Sequence, residues 1–411
     1  MMIHALLACC TTLAVAQSRN VPLDLVLLTD AQGKDKGAVC LDGSNPGFYM
    51  TKGTDTDTTK WVLYFKGGGW CYDERDCAVR AKTNLGTSTQ FTPTFAFSGI
   101  MDSQASVNPE FATYNRVVLY YCDGASFSGN ADAVSNTTGT PLYFRGKRVL
   151  DALLDALLDD HGLGSATDVL LSGGSAGGLS AYLHADYVKS KMPSSVIRFK
   201  AAPVSGFFLF HATAAGVLDY PTRMQYVYGM QNSSGGVNAA CHAAMEPAEA
   251  WKCIFANYSY AHTKTPTFVI NSAIDAWQMG NVWKGDAACA KHDFENCTAA
   301  EVADLNGYMA NFLRDLSSAG SSSGTTLAAP GNGAFVESCL EHCGEQTGAN
   351  FDGYTLPSAS GAKTTMQTAV SKWWNADGGA QAHGHTYLPG CTLNTAAPHQ
   401  CNPSCGARCA V

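Results

Sequence analysis

Two strand-like segments with an amphipathic helix between them constrain the fold of this chain more than any other feature. Residues 117–121 and 168–171 are short, mainly apolar runs of the kind found in strands covered on both faces. Between them leucines recur at helical spacing, at Leu150, Leu153, Leu154, Leu157 and Leu158. A second helix is predicted from just after Ser175 to a stop at Pro193. This alternation predicts an α/β fold with a mainly parallel sheet and helices on both faces.

Three more short apolar runs have the same character. They lie at Trp61–Phe65, Thr267–Ile270 and Ala334–Val336. The chain has 411 residues, which suits one large domain with insertions, and we expect that domain to span residues 17–411. Residues 317–333 are rich in Ser, Gly and Ala and are expected to form a surface loop.

The first 16 residues have the pattern of a signal peptide. An apolar run begins at Ile3 and ends in Ala14-Val15-Ala16, which fits a small-x-small cleavage site. The run is shorter than the roughly 20 residues that span a bilayer, so we expect no integral membrane association. The sequence therefore predicts a protein secreted to the extracellular space or the cell wall.

Cysteine usage predicts the same compartment. Sixteen cysteines are present, and fourteen remain once Cys9 and Cys10 leave with the signal peptide. Such a number is typical of oxidised, disulfide-stapled secreted proteins. No pair of C-x-x-C motifs occurs, which disfavours zinc, and we expect no metal or organic cofactor. A looped, disulfide-stapled tail is predicted around Cys401, Cys405 and Cys409.

Surface properties exclude some partners. The formal net charge is −8, and the chain has no basic stripe, so nucleic acid is not an expected partner. We expect a monomer. Sequons compatible with glycosylated surface loops stand at Asn136, Asn232, Asn257 and Asn296.

The sharpest chemical signal is the sequence Gly173-Gly174-Ser175-Ala176-Gly177, which fits G-x-S-x-G. In the nucleophile elbow of α/β hydrolases, a serine stands on a tight strand-to-helix turn, and glycines permit the strained backbone. Here a predicted strand ends at Ser172, and a helix is predicted after Gly178. An ordinary glycine-rich turn is the alternative. The context favours an α/β-hydrolase-type fold with Ser175 as the nucleophile.

A serine nucleophile requires hydrogen-bond donors for the negative charge that develops on the substrate oxygen. The N–H group after the nucleophile, on Ala176, supplies one donor. A glycine-rich loop after an earlier strand is expected to supply the other. Gly67-Gly68-Gly69-Trp70 follows the strand predicted at Trp61–Phe65. We therefore predict the N–H groups of Gly69 and Trp70 as donors; no Gly-Lys-Ser/Thr follows, which disfavours a phosphate site.

The serine also requires a base and an acid that orients it, and in this fold class the chain order is Ser, then Asp or Glu, then His. Asp275 follows a predicted strand that ends at Asn271. His342 follows another, and Cys339 and Cys343 would pin its loop. Order and spacing leave alternatives open, namely Asp286 and Asp293 as the acid and His383 and His385 as the base or as a weak metal pair.

Seven stretches resemble the plant pectin acetylesterase family, which also contains the carboxylesterase Notum. They extend from about residue 23 to the C-terminus, and comprise Gly37–Ser44, Gly67–Cys71, Asn115–Val117, Tyr121–Gly129, Ser172–Leu179, Asn271–Gln278 and Ser338–Cys343. The resemblance implies Ser175 as nucleophile, Asp275 as acid and His342 as base. It also implies Gly69, Trp70 and Ala176 as oxyanion donors, and disulfides Cys71–Cys77 and Cys40–Cys122.

Two positions depart from the family pattern. Plant members usually carry Cys where this chain has Gly174. They also tend to carry an Asp-Ala-Gly-Phe-type stretch where this chain reads Val204-Ser205-Gly206-Phe207-Phe208. These departures leave the reaction type intact and concern the choice of substrate.

Taken with the resemblance, the sequence predicts a secreted serine carboxylesterase that works through an acyl-enzyme. The first expected substrate is the acetyl group of a cell-wall polysaccharide such as pectin. A Notum-like deacylase of a lipidated protein or lipid ester is the alternative and needs a deep apolar pocket, which Phe207, Phe208, Phe210 and Trp277 would suit. A secreted carbohydrate-binding module without turnover is the non-enzymatic alternative.

Overall fold

The computed structural model describes residues 20–290, 294–318, 327, 329–357, 361–376 and 385–405. The predicted signal peptide, Asp293, His383 and Cys409 lie outside these ranges.

Short strands supply the framework of the described chain. They are β1 (Leu23–Leu27), β2 (Gly47–Thr51), β3 (Lys60–Phe65), β4 (Thr94–Phe95), β5 (Asn115–Leu119), β6 (Asp168–Gly174), β7 (Arg198–Val204), β8 (Phe268–Ser272), β9 (Gly333–Glu337), β10 (Thr355–Pro357), β11 (Lys363–Thr365) and β12 (Thr386–Tyr387). Ten of them form one sheet in the order β12-β9-β8-β7-β6-β3-β5-β2-β1-β4, and β10 and β11 form a separate ribbon. The run from β12 to β5 is parallel, and β2, β1 and β4 continue it antiparallel.

Helices connect these strands. They are α1 (Glu74–Arg80), α2 (Gly146–Asp159), α3 (Ala176–Lys191), α4 (Asp219–Met230), α5 (Ala239–Ala244), α6 (Ala256–Ser259), α7 (Ala276–Gln278), α8 (Ala299–Ser318), α9 (Gly348–Gly353) and α10 (Met366–Asn375). Across the parts of the chain that the structure describes, none is long and apolar enough to cross a bilayer.

Both faces of the sheet are covered, as the apolar runs predicted. Alternate residues of β3 enter different clusters, because successive strand side chains point to opposite faces. Leu63 packs with the leucines of α2, with α3 and with α8, whereas Val62 packs with Trp373 and Trp374 of α10. The prediction of an α/β-hydrolase-type fold with a mainly parallel sheet is therefore confirmed.

Two predicted boundaries are wrong. Strand β6 continues to Gly174, two residues beyond the end that we predicted at Ser172, whereas α3 begins at Ala176, just after Ser175 as predicted. Helix α8 continues to Ser318, into the segment expected to be a loop. Its buried residues Phe312 and Leu316 carry a helical apolar stripe up to the point where the composition becomes rich in Ser and Gly, and the last turn of the helix extends past it.

Six disulfides staple the described chain. They are Cys40–Cys122, Cys71–Cys77, Cys241–Cys253, Cys289–Cys297, Cys339–Cys405 and Cys391–Cys401. The disulfide-stapled fold and the two pairings implied by the resemblance are confirmed. The expectation that Cys343 helps to pin the His342 loop is wrong, because Cys343 is a buried free thiol and only Cys339 is bonded.

Candidate active site

The predicted site residues follow four strands that lie close together in the sheet. Gly67–Gly69 follow β3, Ser175 follows β6, Asp275 follows β8 and His342 follows β9. Carboxyl ends of parallel strands meet at one edge of a sheet, where such folds bind ligands. A cavity of about 400 Å³ opens at this edge. It is lined by Lys66, Gly67, Gly68, Gly69, Gly174, Ser175, Trp277, His342, Cys343 and Gln346.

Ser175 stands on a strained turn. Its φ of 59° and ψ of −127° lie where residues other than glycine are rarely found. Neighbouring glycines make the turn possible by allowing backbones to touch. A Cβ on Gly67 would lie 2.2 Å from the Gly174 carbonyl oxygen, and one on Gly177 would lie 2.0 Å from the Phe65 carbonyl oxygen. Gly67 and Gly177 therefore allow the turn at Ser175 and the start of α3 to lie close to the end of β3.

Asp275 and His342 form a hydrogen-bonded pair, and the partly buried His342 lines the same cavity as Ser175. Asp275 Oδ2 lies 2.7 Å from His342 Nδ1, and Asp275 has no exposed surface. The other carboxylate oxygen accepts a hydrogen bond from the Gln278 N–H at 3.0 Å, which fixes Asp275 at the start of α7. The rings of Phe208 and Trp277 lie 6.3 and 6.4 Å from the imidazole ring.

The charges around His342 favour its protonated form. Burial is the largest single effect and opposes that charge, but the Asp275 carboxylate and Cys343 together outweigh burial and raise the pKa of His342 well above its ordinary value. The Cys343 thiol interacts with the same imidazole. Burial raises the pKa of Cys343 to about 11, despite the opposing effect of His342, so the thiol is neutral at pH 7.

Hydrogen bonds from two side chains fix the carbonyl groups of the glycine loop, Gly67-Gly68-Gly69-Trp70. Arg80 donates to the Gly68 carbonyl at 2.9 Å, and the Tyr121 hydroxyl donates to the Gly69 carbonyl at 2.7 Å. The Arg80 guanidinium also stacks over the Tyr121 ring at 4.9 Å. The disulfide Cys71–Cys77 joins the end of the loop to α1.

Ser126 connects the glycine loop to the start of α3. Its hydroxyl accepts a hydrogen bond from Trp70 Nε1 and donates one to the Ala176 carbonyl, both at 2.8 Å. Within the described chain, the backbone N–H groups of Gly69, Trp70 and Ala176 donate to no acceptor. Three backbone N–H groups without an acceptor therefore lie on the two segments that Ser126 joins, the glycine loop and the start of α3.

The alternative acid and base lie elsewhere. Asp286 is exposed, and its carboxylate accepts the N–H groups of Ala288 and Cys289 in a local turn. The His385 carbonyl accepts from Ala334 at the amino end of β9, opposite the end that leads to His342. Phe210 packs on Phe255, away from the cavity. Asp293 and His383 lie outside the described residues.

Sequence reasoning gave no role to several residues that build this site. Lys66 and Gln346 line the cavity, and Arg80, Tyr121 and Ser126 hold its loops. The sequence pointed to the stretch Tyr121–Gly129 only because it resembles the pectin acetylesterase family. Nothing in its residue types predicted contact with the glycine loop.

Comparisons with known proteins agree with this architecture. The profile of the Pectinacetylesterase family matches residues 16–405. Pectin acetylesterase 11 of Arabidopsis thaliana is 35% identical over 350 residues, which cover 82% of this chain and 84% of that protein. The human palmitoleoyl-protein carboxylesterase NOTUM is 26% identical, with 95% of this chain and 74% of that protein covered. The solved structure of the Wnt deacylase Notum from Drosophila has a TM-score of 0.73 at 22% identity, and covers 94% of this chain and 99% of its own.

The sheet, the helices and the turn at Ser175 define the chain as an α/β hydrolase. It belongs to the pectinacetylesterase family, a family of carboxylesterases.

Proposed function

We propose that this chain is a serine carboxylesterase that removes acetyl groups from a cell-wall polysaccharide such as pectin. The observation that carries the proposal is the lining of the cavity beside Ser175. Glycines and polar side chains make up most of that lining, and Trp277 is the one large apolar side chain among the described residues there. Pockets for long apolar ligands are lined mainly by hydrophobic side chains, so this cavity suits a short acyl group.

The aromatic side chains nearby support the same choice, because they fill one another's space. The Trp70 ring lies 4.9 Å from Phe208 and 5.8 Å from Tyr220, and 5.5 Å from Trp277. Trp70, Phe208 and Tyr220 are each at least 96% buried. This packing leaves them little surface with which to line a deep acyl pocket.

In the proposed reaction, Ser175 Oγ attacks the carbonyl carbon of the ester, and its proton passes to His342 Nε2. Asp275 holds the Nδ1–H of the imidazole and stabilises its positive charge. The bond to the sugar oxygen then breaks, and that oxygen takes the proton from His342. Water attacks the acyl-enzyme in the same way, gives its proton to His342, and acetate leaves as Ser175 recovers its proton.

We assign the stabilisation of the negative charge on the carbonyl oxygen to the N–H groups of Gly69, Trp70 and Ala176. Their lack of other acceptors supports this role, because donors that are already fixed need no rearrangement when charge develops. Loss of one such donor typically lowers turnover by roughly 10²–10³-fold.

We further propose that residues 17–411 act as one secreted, monomeric domain after cleavage at residue 16. The six disulfides support an oxidising compartment. Asn136, Asn232 and Asn296 are exposed and accessible to glycosylation, whereas Asn257 is half-buried and its Oδ1 is enclosed.

The experiment that tests the function is acetate release from acetylated pectin by the wild type and by Ser175→Ala. Ser190→Ala is the matched control, because Ser190 is an exposed serine of the same helix. We expect Ser175→Ala to lose at least about 10⁴-fold in rate, as for other serine nucleophiles, and Ser190→Ala to match the wild type.

Other outcomes separate the alternatives. If the wild type cleaves an activated aryl ester but releases no acetate from pectin, the esterase chemistry stands and the polymer is wrong. Rates that rise from acetyl to octanoyl to palmitoyl esters would favour a Notum-like deacylase. Failure of Ser175 to react with a fluorophosphonate would indicate a module without turnover.

A further inference from the structure

Lys66 places an ammonium group in the same cavity as Ser175, and no carboxylate in the described chain pairs with it. Its Nζ donates one hydrogen bond, to the Gly67 carbonyl oxygen at 3.1 Å. Six lysines of the described chain form a salt bridge with a carboxylate within 4 Å, namely Lys34, Lys36, Lys60, Lys147, Lys252 and Lys284. Lys66 is not among these six, and its position in the cavity of Ser175 leaves its ammonium group accessible to an anion that binds there.

The surroundings of Lys66 disfavour the protonated, positively charged form of its side chain. Burial lowers the pKa of its ammonium group, and the positive charge of the Arg80 guanidinium lowers it further. An ammonium group has three donors, and two remain after the bond to Gly67. An arriving anion would relieve the unfavourable charge and form charge-assisted hydrogen bonds.

A second cavity continues from this point. It has a volume of about 340 Å³, and it shares Lys66 and Gln346 with the cavity beside Ser175. Its other described lining residues are Asn20, Phe95, Ala96, Phe97 and Ser98. The two cavities together give room for more than one sugar of a polymer, and Lys66 lies where they meet.

We infer that Lys66 binds a carboxylate of the polymer close to the sugar that carries the ester. The preferred substrate is then acetylated pectin whose uronate carboxylates are free, and methyl-esterified pectin is a poorer substrate. This inference rests on the proposed function and narrows its substrate class. It also explains how a chain with a net charge of −8 would bind a polyanion, since its bulk charge is repulsive and a local cation is needed.

The test compares the binding of trigalacturonic acid with the binding of its trimethyl ester, which has the same sugars without the charges. Calorimetry on the Ser175→Ala protein measures both dissociation constants without turnover. The variants are Lys66→Met, Lys66→Arg and the control Lys60→Met. Lys60 begins the strand that Lys66 follows, pairs with Asp57 at 2.8 Å, and lies about 20 Å away at about 3.3 Å per residue.

We expect the charged trisaccharide to bind at least about tenfold tighter than its ester, a preference that weakens as salt screens the charges. Lys60→Met and Lys66→Arg should retain the preference, and Lys66→Met should lose it. Equal affinity of the wild-type site for the two trisaccharides, or a preference that survives in folded Lys66→Met, would overturn the inference.

The outcome is independent of the polymer test. A charge preference that depends on Lys66, without acetate release from pectin, keeps the carboxylate site and rejects the proposed reaction on that polymer. Acetate release without a charge preference keeps the proposed function and rejects the role of Lys66.

Discussion

Asp275 Oδ2 lies 2.7 Å from His342 Nδ1, although 67 residues separate the two along the chain. They meet because β8 and β9 are neighbouring parallel strands, and each residue lies on the loop that follows its strand. The contact therefore depends on the pairing of the sheet, and it controls the charge of the imidazole.

The first prediction is an alkaline shift in the pH dependence of ester cleavage. The proposed base must be neutral to accept the serine proton, whereas Asp275 raises the pKa of His342 above the usual value of about 6.5. Activity is therefore low while the imidazole is protonated and rises as the pH passes its pKa. The profile of kcat/KM on an aryl acetate should still be rising above about pH 7. A midpoint at or below about 6.5 would contradict the raised pKa.

The second prediction concerns Asp275→Asn. The amide oxygen can still accept the Gln278 N–H, so α7 should keep its start. The imidazole loses its carboxylate, so kcat should fall by about 10⁴-fold and the rising limb of the pH profile should move to lower pH. Steady-state kinetics across pH measure both effects. Asp286→Asn, at the exposed alternative acid, should behave as the wild type; a comparable loss there would indicate a different acid.

The third prediction is that Ser126 positions the glycine loop. Ser126→Ala leaves the buried Trp70 Nε1 without an acceptor, at a cost of about 1–3 kcal/mol, and releases the loop from α3. We expect kcat to fall by about 10- to 100-fold with little change in KM, because the loop donors act on the developing oxyanion.

Ser180→Ala is the matched control for Ser126→Ala. The Ser180 hydroxyl donates to the same Ala176 carbonyl at 2.9 Å, and its one described partner is that carbonyl. Its kcat should stay near that of the wild type. Equal losses in the two variants would assign the effect to the Ala176 carbonyl and not to the loop.

The fourth prediction concerns the glycines around Ser175. Gly177→Ala would place a Cβ 2.0 Å from the Phe65 carbonyl oxygen, and both backbones are fixed in the core. We expect a loss of more than about 4 kcal/mol in the free energy of unfolding, seen as insoluble protein or a much lower Tm. Gly307→Ala, on an exposed turn of α8 with open space around it, should stabilise by up to about 1 kcal/mol. Similar Tm values for the two variants would contradict the close packing.

The central strands were predictable because each is an unbroken apolar run, but β7 was not. Arg198 and Lys200 interrupt its sequence and give it the appearance of a polar segment. In the fold, Arg198 stacks on Trp374, and Lys200 donates to three carbonyl groups at the end of α10. These partners are more than 170 residues away, so local sequence could not indicate that the two cations are satisfied.

The sequence predicted the site only through the order in which candidate residues follow the strands along the chain. Chain order could not choose between His342 and His385, which the structure separates to opposite ends of β9. Cys339 and Cys343 were both expected to pin the loop of His342, yet Cys343 is unpaired. A Cβ on Gly174 would lie 3.3 Å from the Cys343 sulfur, so a cysteine there, as in plant members, would be near enough to pair. Glycine at 174 therefore leaves this thiol free.

The disulfide Cys339–Cys405 has a practical consequence for anyone who handles this protein. It ties the C-terminal segment to the loop that carries His342, so the integrity of the tail and the position of the imidazole are coupled. Truncation before residue 405, or synthesis in a reducing cytosol, would untether that loop while the sheet remained intact. Thiol reductants in a purification buffer would act as slow inactivators, and preparations that look correctly folded by circular dichroism could differ in specific activity.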